Sequence, residues 1–368
     1  MESKTQHGYL VLADISGYTS YLAGTELEHA HEILTALLET IVLKFKTLLT
    51  VSKLEGDAVF AYALENAVPR GELLLDLVES TYVAFRDHVT AAHRRTTCTC
   101  NACRNIPNLD LKFMAHHGDY IIQEITGIKE LVGSDVNLVH RLLKNHVAEA
   151  TGWHAYALFT GQALAHIGVQ FDDWHAQPET YEHLGEVQTH SLNLRERYQT
   201  LVEARRAFIS AEEADLVIIQ DFPAPPSRAW DWMNNPLQRN KWAAGHGVEW
   251  RAGDRPQGRT GPGARNHCNH GQGKGEGVET ILDWRPFDYV TIETLDGGIL
   301  ITETMQFEPL PDGATRFHDH LTVKMPPPRF LRRAVTRLIM LNMMKYDQLI
   351  AIAAHLLGEE LAREKSSA

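Results

Sequence analysis

The order of the first predicted elements constrains the fold most. Residues 8–13 form a short apolar run that suits a buried strand, and residues 26–45 carry apolar side chains at helical spacing. Residues 51–54 and 58–63 then flank Gly56-Asp57, which predicts a hairpin with a tight turn. Because a strand, a long helix and a hairpin must share one core, we expect a mixed fold, α+β or α/β, rather than a helical bundle or an all-β sandwich.

The same alternation continues along the first half of the chain. Residues 72–89 and 137–148 have helical patterns, and residues 109–116 and 120–125 flank Gly118-Asp119 as a second predicted hairpin. The second half differs, since four strand-like runs precede an amphipathic stretch at residues 330–357. One long helix lying on an antiparallel sheet would cover that sheet. We place a domain boundary near residue 205, inside a charged helical connector.

Composition excludes several classes of function. The chain has 368 residues, with Lys+Arg 35 against Asp+Glu 47 and a formal net charge of −12. Such a surface repels phosphate backbones and anionic lipid, so we expect neither nucleic-acid nor membrane binding. The first residues show no basic start followed by an apolar run, which favours a cytoplasmic protein.

Two acidic residues stand at predicted strand ends. Asp14 follows the first apolar run, and Asp57 follows Gly56 in the hairpin. If these strands pair, both carboxylates meet at one sheet edge, where hard oxygen donors suit Mg²⁺ or Mn²⁺. Taken singly, an Asp after a strand is also a common helix cap, and Gly-Asp is a common turn.

Four segments together resemble the class III nucleotidyl cyclases, the adenylate and guanylate cyclase family. In that family the first metal-binding Asp precedes an I-x-G-(F/Y)-T segment, and the second lies in a K-x-x-G-D hairpin. A strand ending in H-T-G and a G-x-x-V-N-x-A-x-R segment follow. The matching positions here are Asp14 to Thr19, Lys53 to Asp57, Leu111 to Gly118, and Gly133 to Arg141.

This resemblance covers about residues 8–193 and implies a ferredoxin-like cyclase domain at residues 1–205 that takes ATP. It implies that Asp14 and Asp57 bind Mg²⁺ or Mn²⁺, and that Lys53 binds the adenine. Members of the family that select guanine have Glu at the Lys53 position. Glu130, which stands where the family has Asp or Thr, would accept a hydrogen bond from the adenine amino group.

The resemblance also implies a catalytic pair and a homodimer. Asn137 would orient the ribose, and Arg141 would stabilise charge on the α-phosphate. These residues are four apart, so they share one helix face. In the family the metal-binding carboxylates and the Asn/Arg pair of one site come from two different chains. A single domain of this kind therefore implies two symmetric sites in a homodimer.

One departure from the family bears on activity. A Lys that binds the terminal phosphates is expected near the end of the domain, and Leu184 stands there instead. Two interpretations stay open for the domain: an adenylate cyclase that makes cyclic AMP and pyrophosphate, and a catalytically degenerate domain that binds nucleotide for signalling.

A cysteine cluster interrupts the cyclase-like pattern. Cys98, Cys100 and Cys103 form C-x-C-x-x-C within a predicted insertion at residues 94–106. Thiols at this density favour a structural Zn²⁺, for which a fourth ligand is required. The candidates for that ligand are His93, His116, His117, Cys268 and His270. Three reduced thiols, or a redox-sensitive pair, are the alternatives.

Residues 206–368 resemble the START-like or SRPBCC superfamily, which has the helix-grip fold. The resemblance depends on a strand leading into a helix near Trp230, a strand around Trp284 and the long C-terminal helix. It implies a cavity between sheet and helix that binds a small apolar ligand, which either regulates the cyclase-like domain or is the protein's main cargo. The residues expected to line the cavity are Trp250, Trp284, Met305, Phe307, Leu338, Met340, Met343 and Met344. No acid/base pair is evident in this half.

Overall fold

The computed structural model describes residues 4–95, 98, 100–169, 174–203, 207–256, 258–269, 276–296, 298–324 and 329–367. The chain divides into two compact units, Met1–Thr200 and Leu201–Ala368. Residues 205 and 206, which flank the predicted domain boundary, lie outside the described residues. None of the described helices is long and apolar enough to cross a membrane.

The first unit contains one mixed sheet. Its strands are β1 Gln6–Ser16, β2 Thr50–Glu55, β3 Ala58–Leu64, β4 Asp110–Ile125, β5 Ile128–Val132, β6 Tyr156–Thr160, β7 His175–Tyr181 and β8 Gly185–Asn193. The order is β2-β3-β1-β4-β6-β8-β7, with β5 paired to β4. The first four strands pair antiparallel in the order 2-3-1-4, which is the ferredoxin-like arrangement. The prediction of an α+β fold is confirmed.

Helices lie on both faces of this sheet. The described helices of this part of the chain are α1 Tyr18–Ala23, α2 Leu27–Phe45, α3 Glu72–Arg95, α4 Asn101–Asn105, α5 Ser134–Arg141, α6 Val147–Thr151, α7 Gly161–Ile167 and α8 Leu194–Glu203, of which α2, α3, α5 and α7 contact the strands. On one face, α2 places Phe45 against Phe113 of β4. On the other, α5 packs Val136 and Val139 against Leu12 of β1 and Met114 of β4. Asp14 is directed toward the same face as α5, because it lies two residues after Leu12 on β1 and side chains two apart in a strand share a face.

The second predicted hairpin is wrong. Strand β4 runs unbroken through Gly118-Asp119, because β1 pairs with it residue for residue from Ser16↔Asp110 to Gln6↔Tyr120. The chain turns instead at Thr126 and Gly127, which both have positive φ. Strand β5 then pairs back onto the end of β4 and carries Glu130.

Two predicted helices are shorter than expected. The helix predicted at residues 137–148 begins earlier, at Ser134, and α5 ends at Arg141; a 3₁₀ turn, Leu142–Lys144, then leads to α6. The helix predicted at residues 330–357 consists of α11 Arg329–Arg337, a π-helical segment Leu338–Met343 and α12 Tyr346–Ser367. The break before α12 coincides with a positive φ of 50° at Lys345.

The second unit is a seven-stranded antiparallel sheet with helices. Its other elements are β9 Leu216–Phe222, α9 Pro226–Asn234, α10 Pro236–Ala243, β10 Glu249–Ala252, β11 Arg265–Asn269, β12 Glu276–Arg285, β13 Tyr289–Asp296, β14 Ile299–Pro309 and β15 Thr315–Val323. The order is β10-β11-β12-β13-β14-β15-β9. Trp230 of α9 packs edge-on against Trp284 and Phe307, and the indole of Trp232 donates to the Ala353 carbonyl of α12 at 2.9 Å. The predicted antiparallel sheet covered by a C-terminal helix is confirmed.

Candidate functional site

Asp14 and Asp57 lie together at one end of β1. Asp14 pairs with Ala58 in the β1–β3 register, and the Ile15 amide donates to the Asp57 carbonyl at 3.3 Å. Both side chains are half-buried. Burial and the like charge of Asp14 raise the pKa of the Asp57 carboxyl, and Lys112 opposes this shift. Two adjacent carboxylates are the hard oxygen donors that Mg²⁺ and Mn²⁺ prefer, so the residues present fit a divalent cation.

Lys112 is the direct partner of Asp14. It lies opposite Asp14 on β4, and its Nζ is 3.1 Å from Asp14 Oδ2. The side chains of Lys112 and Asp14 are 22% and 16% exposed, so the ion pair is only partly screened by water. Lys112 therefore orients one Asp14 oxygen and leaves the second for another ligand.

Lys53 and Glu130 form a second polar pair. Lys53 Nζ lies 3.3 Å from Glu130 Oε1 and 3.0 Å from Glu55 Oε1. His140 of α5 lies 3.1 Å from the Glu55 carboxylate, and its ring packs edge-on against Phe60. Glu55, held in this way, positions the ammonium group of Lys53. A donor beside an acceptor is the arrangement that could bind the hydrogen-bonding edge of a purine.

Asn137 and Arg141 are both exposed on α5, whose apolar side packs on the sheet. The first turn of α5 is held close to β4, since the amide of Asp119 donates to Asp135 Oδ2 at 2.7 Å. A Cβ on Gly118 would lie 2.2 Å from that same oxygen, so only glycine permits this approach. The H-H-G and G-S-D-V-N segments therefore form one structural unit. Among the described residues, no hydrogen bond or ion pair joins Asn137 or Arg141 to Asp14 or Asp57.

Leu184 lies in the turn between β7 and β8 and packs, half-buried, against the core cluster that includes Leu138. A groove beside it is bordered by Asp135 and Glu186, and its described lining contains no Lys or Arg. Within this unit, the position expected to bind terminal phosphates is thus apolar and lies next to acidic groups.

The three cysteines of the insertion meet a histidine of α2. Ligand atoms of His29, Cys98, Cys100 and Cys103 all lie within 4.8 Å of one another. His29 was absent from the predicted ligand candidates. Residues 96, 97 and 99 of the insertion lie outside the described residues.

The predicted candidates for the fourth ligand are placed elsewhere or are not described. His116 is buried and lies 2.9 Å from Thr160, while His117 stacks on His166. His93 is exposed and Cys268 is buried within β11. His270 lies outside the described residues.

The second unit encloses a cavity of about 120 Å³. Trp250, Met305, Met340 and Met344 line it, as the sequence predicts. Trp284 and Phe307 are instead buried in the core around Trp230, and Leu338 and Met343 are exposed.

One wall of this cavity is polar. Arg239 forms a buried ion pair with Glu279 at 2.6 Å, and its guanidinium lies 4.4 Å from the centre of the Trp250 ring. Glu303 also lines the cavity, and the Tyr346 hydroxyl lies 3.4 Å from it. Burial is the largest cause, and the negative charge of Glu279 the next, of the rise in the pKa of Glu303 to about 7. Behind the wall, burial raises the pKa of Asp319 well above its usual range, and Glu303 adds to the shift.

Two family models match parts of the chain. A model described as "Protein of unknown function (DUF2652)" matches residues 34–151. A model described as "Polyketide cyclase / dehydrase and lipid transport" matches residues 215–356. The second match confirms the helix-grip resemblance of the C-terminal domain.

A curated relative is the Uncharacterized protein Rv2561/Rv2562 of Mycobacterium tuberculosis. It is 33% identical over 163 residues, which span 43% of this chain and 72% of that protein. The chain belongs to the same family as this mycobacterial protein.

Several solved structures that are similar to this chain are guanylyl or adenylyl cyclases. The guanylyl cyclase Cya2 matches with a TM-score of 0.42 and 14% identity, over 52% of this chain and 93% of that chain. The adenylyl cyclase CyaB from P. aeruginosa matches with a TM-score of 0.39 and 17% identity, over 52% of this chain and 95% of that one.

Sequence reasoning missed three groups of functional interest. The strand pattern could have indicated Lys112, because it precedes His116 of the H-H-G segment by four residues and therefore lies on the same face of the strand. His29 has no local signal, because it lies on a helix far from the cysteines in sequence. Glu303 has no distinguishing sequence signal, because its position beside the cavity depends on how the strands of the sheet pair.

Proposed function

We propose that the first domain is an adenylate cyclase that converts ATP to cyclic AMP and pyrophosphate. The observation that carries the proposal is the meeting of Asp14 and Asp57 beside Lys112, on the sheet face where α5 presents Asn137 and Arg141. The Lys53–Glu130 pair supports a purine substrate, and Lys53 in place of Glu favours adenine over guanine.

Each half of the proposed site has a separate task. Asp14 and Asp57 would hold Mg²⁺ or Mn²⁺, which when bound lowers the pKa of the ribose 3′-hydroxyl and neutralises the leaving pyrophosphate. Asn137 holds the ribose so that O3′ attacks the α-phosphorus as the bond to the pyrophosphate oxygen breaks, and the hydroxyl proton passes to water. Arg141 stabilises the charge that builds on the α-phosphate.

We further propose that the active form is a homodimer. Asn137 and Arg141 are exposed, and among the described residues neither forms a hydrogen bond or ion pair with Asp14 or Asp57. A two-fold dimer would place α5 of each chain against Asp14 and Asp57 of the other, which forms two equivalent sites.

The test is product formation by the purified full chain with ATP and Mn²⁺ or Mg²⁺, followed by chromatography of cyclic AMP and pyrophosphate. Asp14→Asn keeps the size of the side chain and removes its charge, so it should abolish turnover. Asp312→Asn, in an exposed turn of the second domain, is the matched control and should leave the rate unchanged. Parallel reactions with GTP test the base preference. Activity that survives Asp14→Asn would refute the site.

A second candidate function for this domain is nucleotide binding without turnover. It is favoured by Leu184, which is packed against apolar side chains at the position where a cation for the terminal phosphates is expected. Loss of one charge-assisted contact would cost about 1.5–3 kcal/mol of triphosphate binding. Saturable binding of a non-hydrolysable ATP analogue, with no product from ATP under any metal, would establish this function over the first.

For the second domain we propose binding of a small molecule with an apolar body and one polar group. The apolar walls of the cavity would surround the body, and protonated Glu303 would donate to a carbonyl or hydroxyl oxygen. Such a ligand could regulate the cyclase domain or be carried as cargo. This refines the purely apolar ligand that the sequence predicts.

Binding of phenol, a small ring with one hydroxyl group, tests the cavity by isothermal titration calorimetry. Glu303→Gln should change the affinity, whereas Glu308→Gln, on the same strand but exposed, should not. Equal affinity in both variants would remove Glu303 from the site. Mass spectrometry of the native protein would reveal any ligand that copurifies with it.

A further inference from the structure

The insertion that carries the three cysteines is docked against the start of α2. The Glu26 carboxylate accepts hydrogen bonds from the amides of Asn101 and Ala102, at 3.2 and 3.0 Å. The Tyr21 hydroxyl donates to the Ala102 carbonyl at 3.0 Å. These contacts bring α4 against α2 by means of residues other than the cysteines themselves. The approach of His29 to the cysteines is therefore built into the fold.

The four side chains present a compact set of soft and borderline donors. His29 Nδ1 lies 3.3 Å from Cys100 Sγ and 3.8 Å from Cys98 Sγ. A tetrahedral Zn²⁺ with Zn–S of about 2.3 Å and Zn–N of about 2.05 Å would set N···S separations of about 3.6 Å and S···S separations of about 3.8 Å. The two N···S separations lie on either side of the expected 3.6 Å, and all four ligand atoms fall within 4.8 Å of one another.

The local backbone also resembles that of a ligand turn. Cys100 caps the N-terminus of α4, and its Sγ accepts a hydrogen bond from the Cys103 amide at 3.4 Å. Hydrogen bonds to the sulfur orient a thiolate ligand and stabilise its charge. Cys103 is buried and Cys98 is exposed, so the cluster closes on its inner side and opens toward solvent.

We infer that His29, Cys98, Cys100 and Cys103 form a structural Zn²⁺ site, with His29 Nδ1 as the fourth ligand. Three thiolates and one imidazole complete a tetrahedron without a free position, which is the ligand set of a structural site and not of a catalytic one. The metal would clamp the segment between α3 and β4 onto α2. The site is independent of the nucleotide chemistry proposed above, since it shares no residue with it.

The test measures zinc bound to the full chain, purified with a reductant and without added metal, by plasma mass spectrometry. We expect about one zinc per chain in the wild type and loss of that zinc in Cys98→Ser and in His29→Asn. The matched controls are Cys268→Ser, which removes the cysteine outside the cluster, and His31→Asn, an exposed histidine on the same helix. Both controls should keep the zinc. Zinc that persists in His29→Asn would refute the fourth ligand.

Two further measurements keep the inference testable if variants fold poorly. His29→Cys offers a fourth thiolate and should retain zinc where His29→Asn does not. Wild-type protein loaded with Co²⁺ should show the visible absorption of a tetrahedral site with thiolate ligands. An octahedral cobalt spectrum would overturn the site. So would wild-type protein that binds no zinc after its cysteines have been reduced and zinc has been added.

Discussion

Complementation between two inactive variants would reveal how the proposed cyclase site is divided. Asp14→Asn damages the metal-binding half, and Arg141→Ala damages the half that α5 presents. In a homodimer of either variant both sites carry a lesion. Removal of a group that stabilises transition-state charge costs about 10²–10³-fold in rate, so each homodimer should be nearly inactive. A heterodimer of the two variants concentrates both lesions in one site and leaves the other intact.

Co-expression with two different affinity tags, followed by tandem purification, isolates that heterodimer. Its rate of cyclic AMP formation should be about half that of the wild-type dimer, because one of two sites is whole. The matched control pairs Asp14→Asn with Asp57→Asn. Both lesions then lie in the same half, every site carries one, and no recovery is expected. An inactive Asp14→Asn/Arg141→Ala heterodimer, alongside active wild type, would refute a site shared between chains.

Three further predictions concern stability and follow from the described contacts. Gly118→Ala should destabilise the first domain by about 1–3 kcal/mol and lower its activity, because the new Cβ would lie 2.2 Å from a carboxylate oxygen of α5. Urea denaturation measures the loss, and the control is Gly245→Ala, whose new Cβ would have no atom within 4 Å. The raised pKa of Glu303 means that the folded state binds its proton more tightly than the unfolded state between about pH 4.5 and about pH 7, so stability should fall as pH rises through this window. Glu303→Gln should flatten that slope in thermal melts, and an unchanged slope would contradict the assignment. Arg239→Met should cost about 3–5 kcal/mol, because the buried Glu279 carboxylate would lose its ion-pair partner and keep only the hydrogen bond from Asn266. Arg239→Met/Glu279→Gln should recover part of this loss.

The local elements of this fold could be predicted to a large extent, and the exceptions have a common cause. Turn residues at Gly118-Asp119 favour a hairpin when only neighbours in sequence are considered. The pairing of β1 along eleven positions of β4 outweighs that preference and carries the strand straight through. The strands β6, β7 and β8 lack a strong period, and they are stabilised as strands mainly by their neighbours in the sheet.

The amino-acid sequence by itself determined the pattern of strands and helices and the acidic residues at strand ends. It also determined the clustering of three thiols, because these properties depend on side-chain period and short spacing. Only the tertiary structure decided that Lys112 faces Asp14, that His29 reaches the cysteines and that Glu303 faces a cavity. Each of these contacts joins residues from different elements, whose distance is set by strand register and helix docking and not by any local pattern.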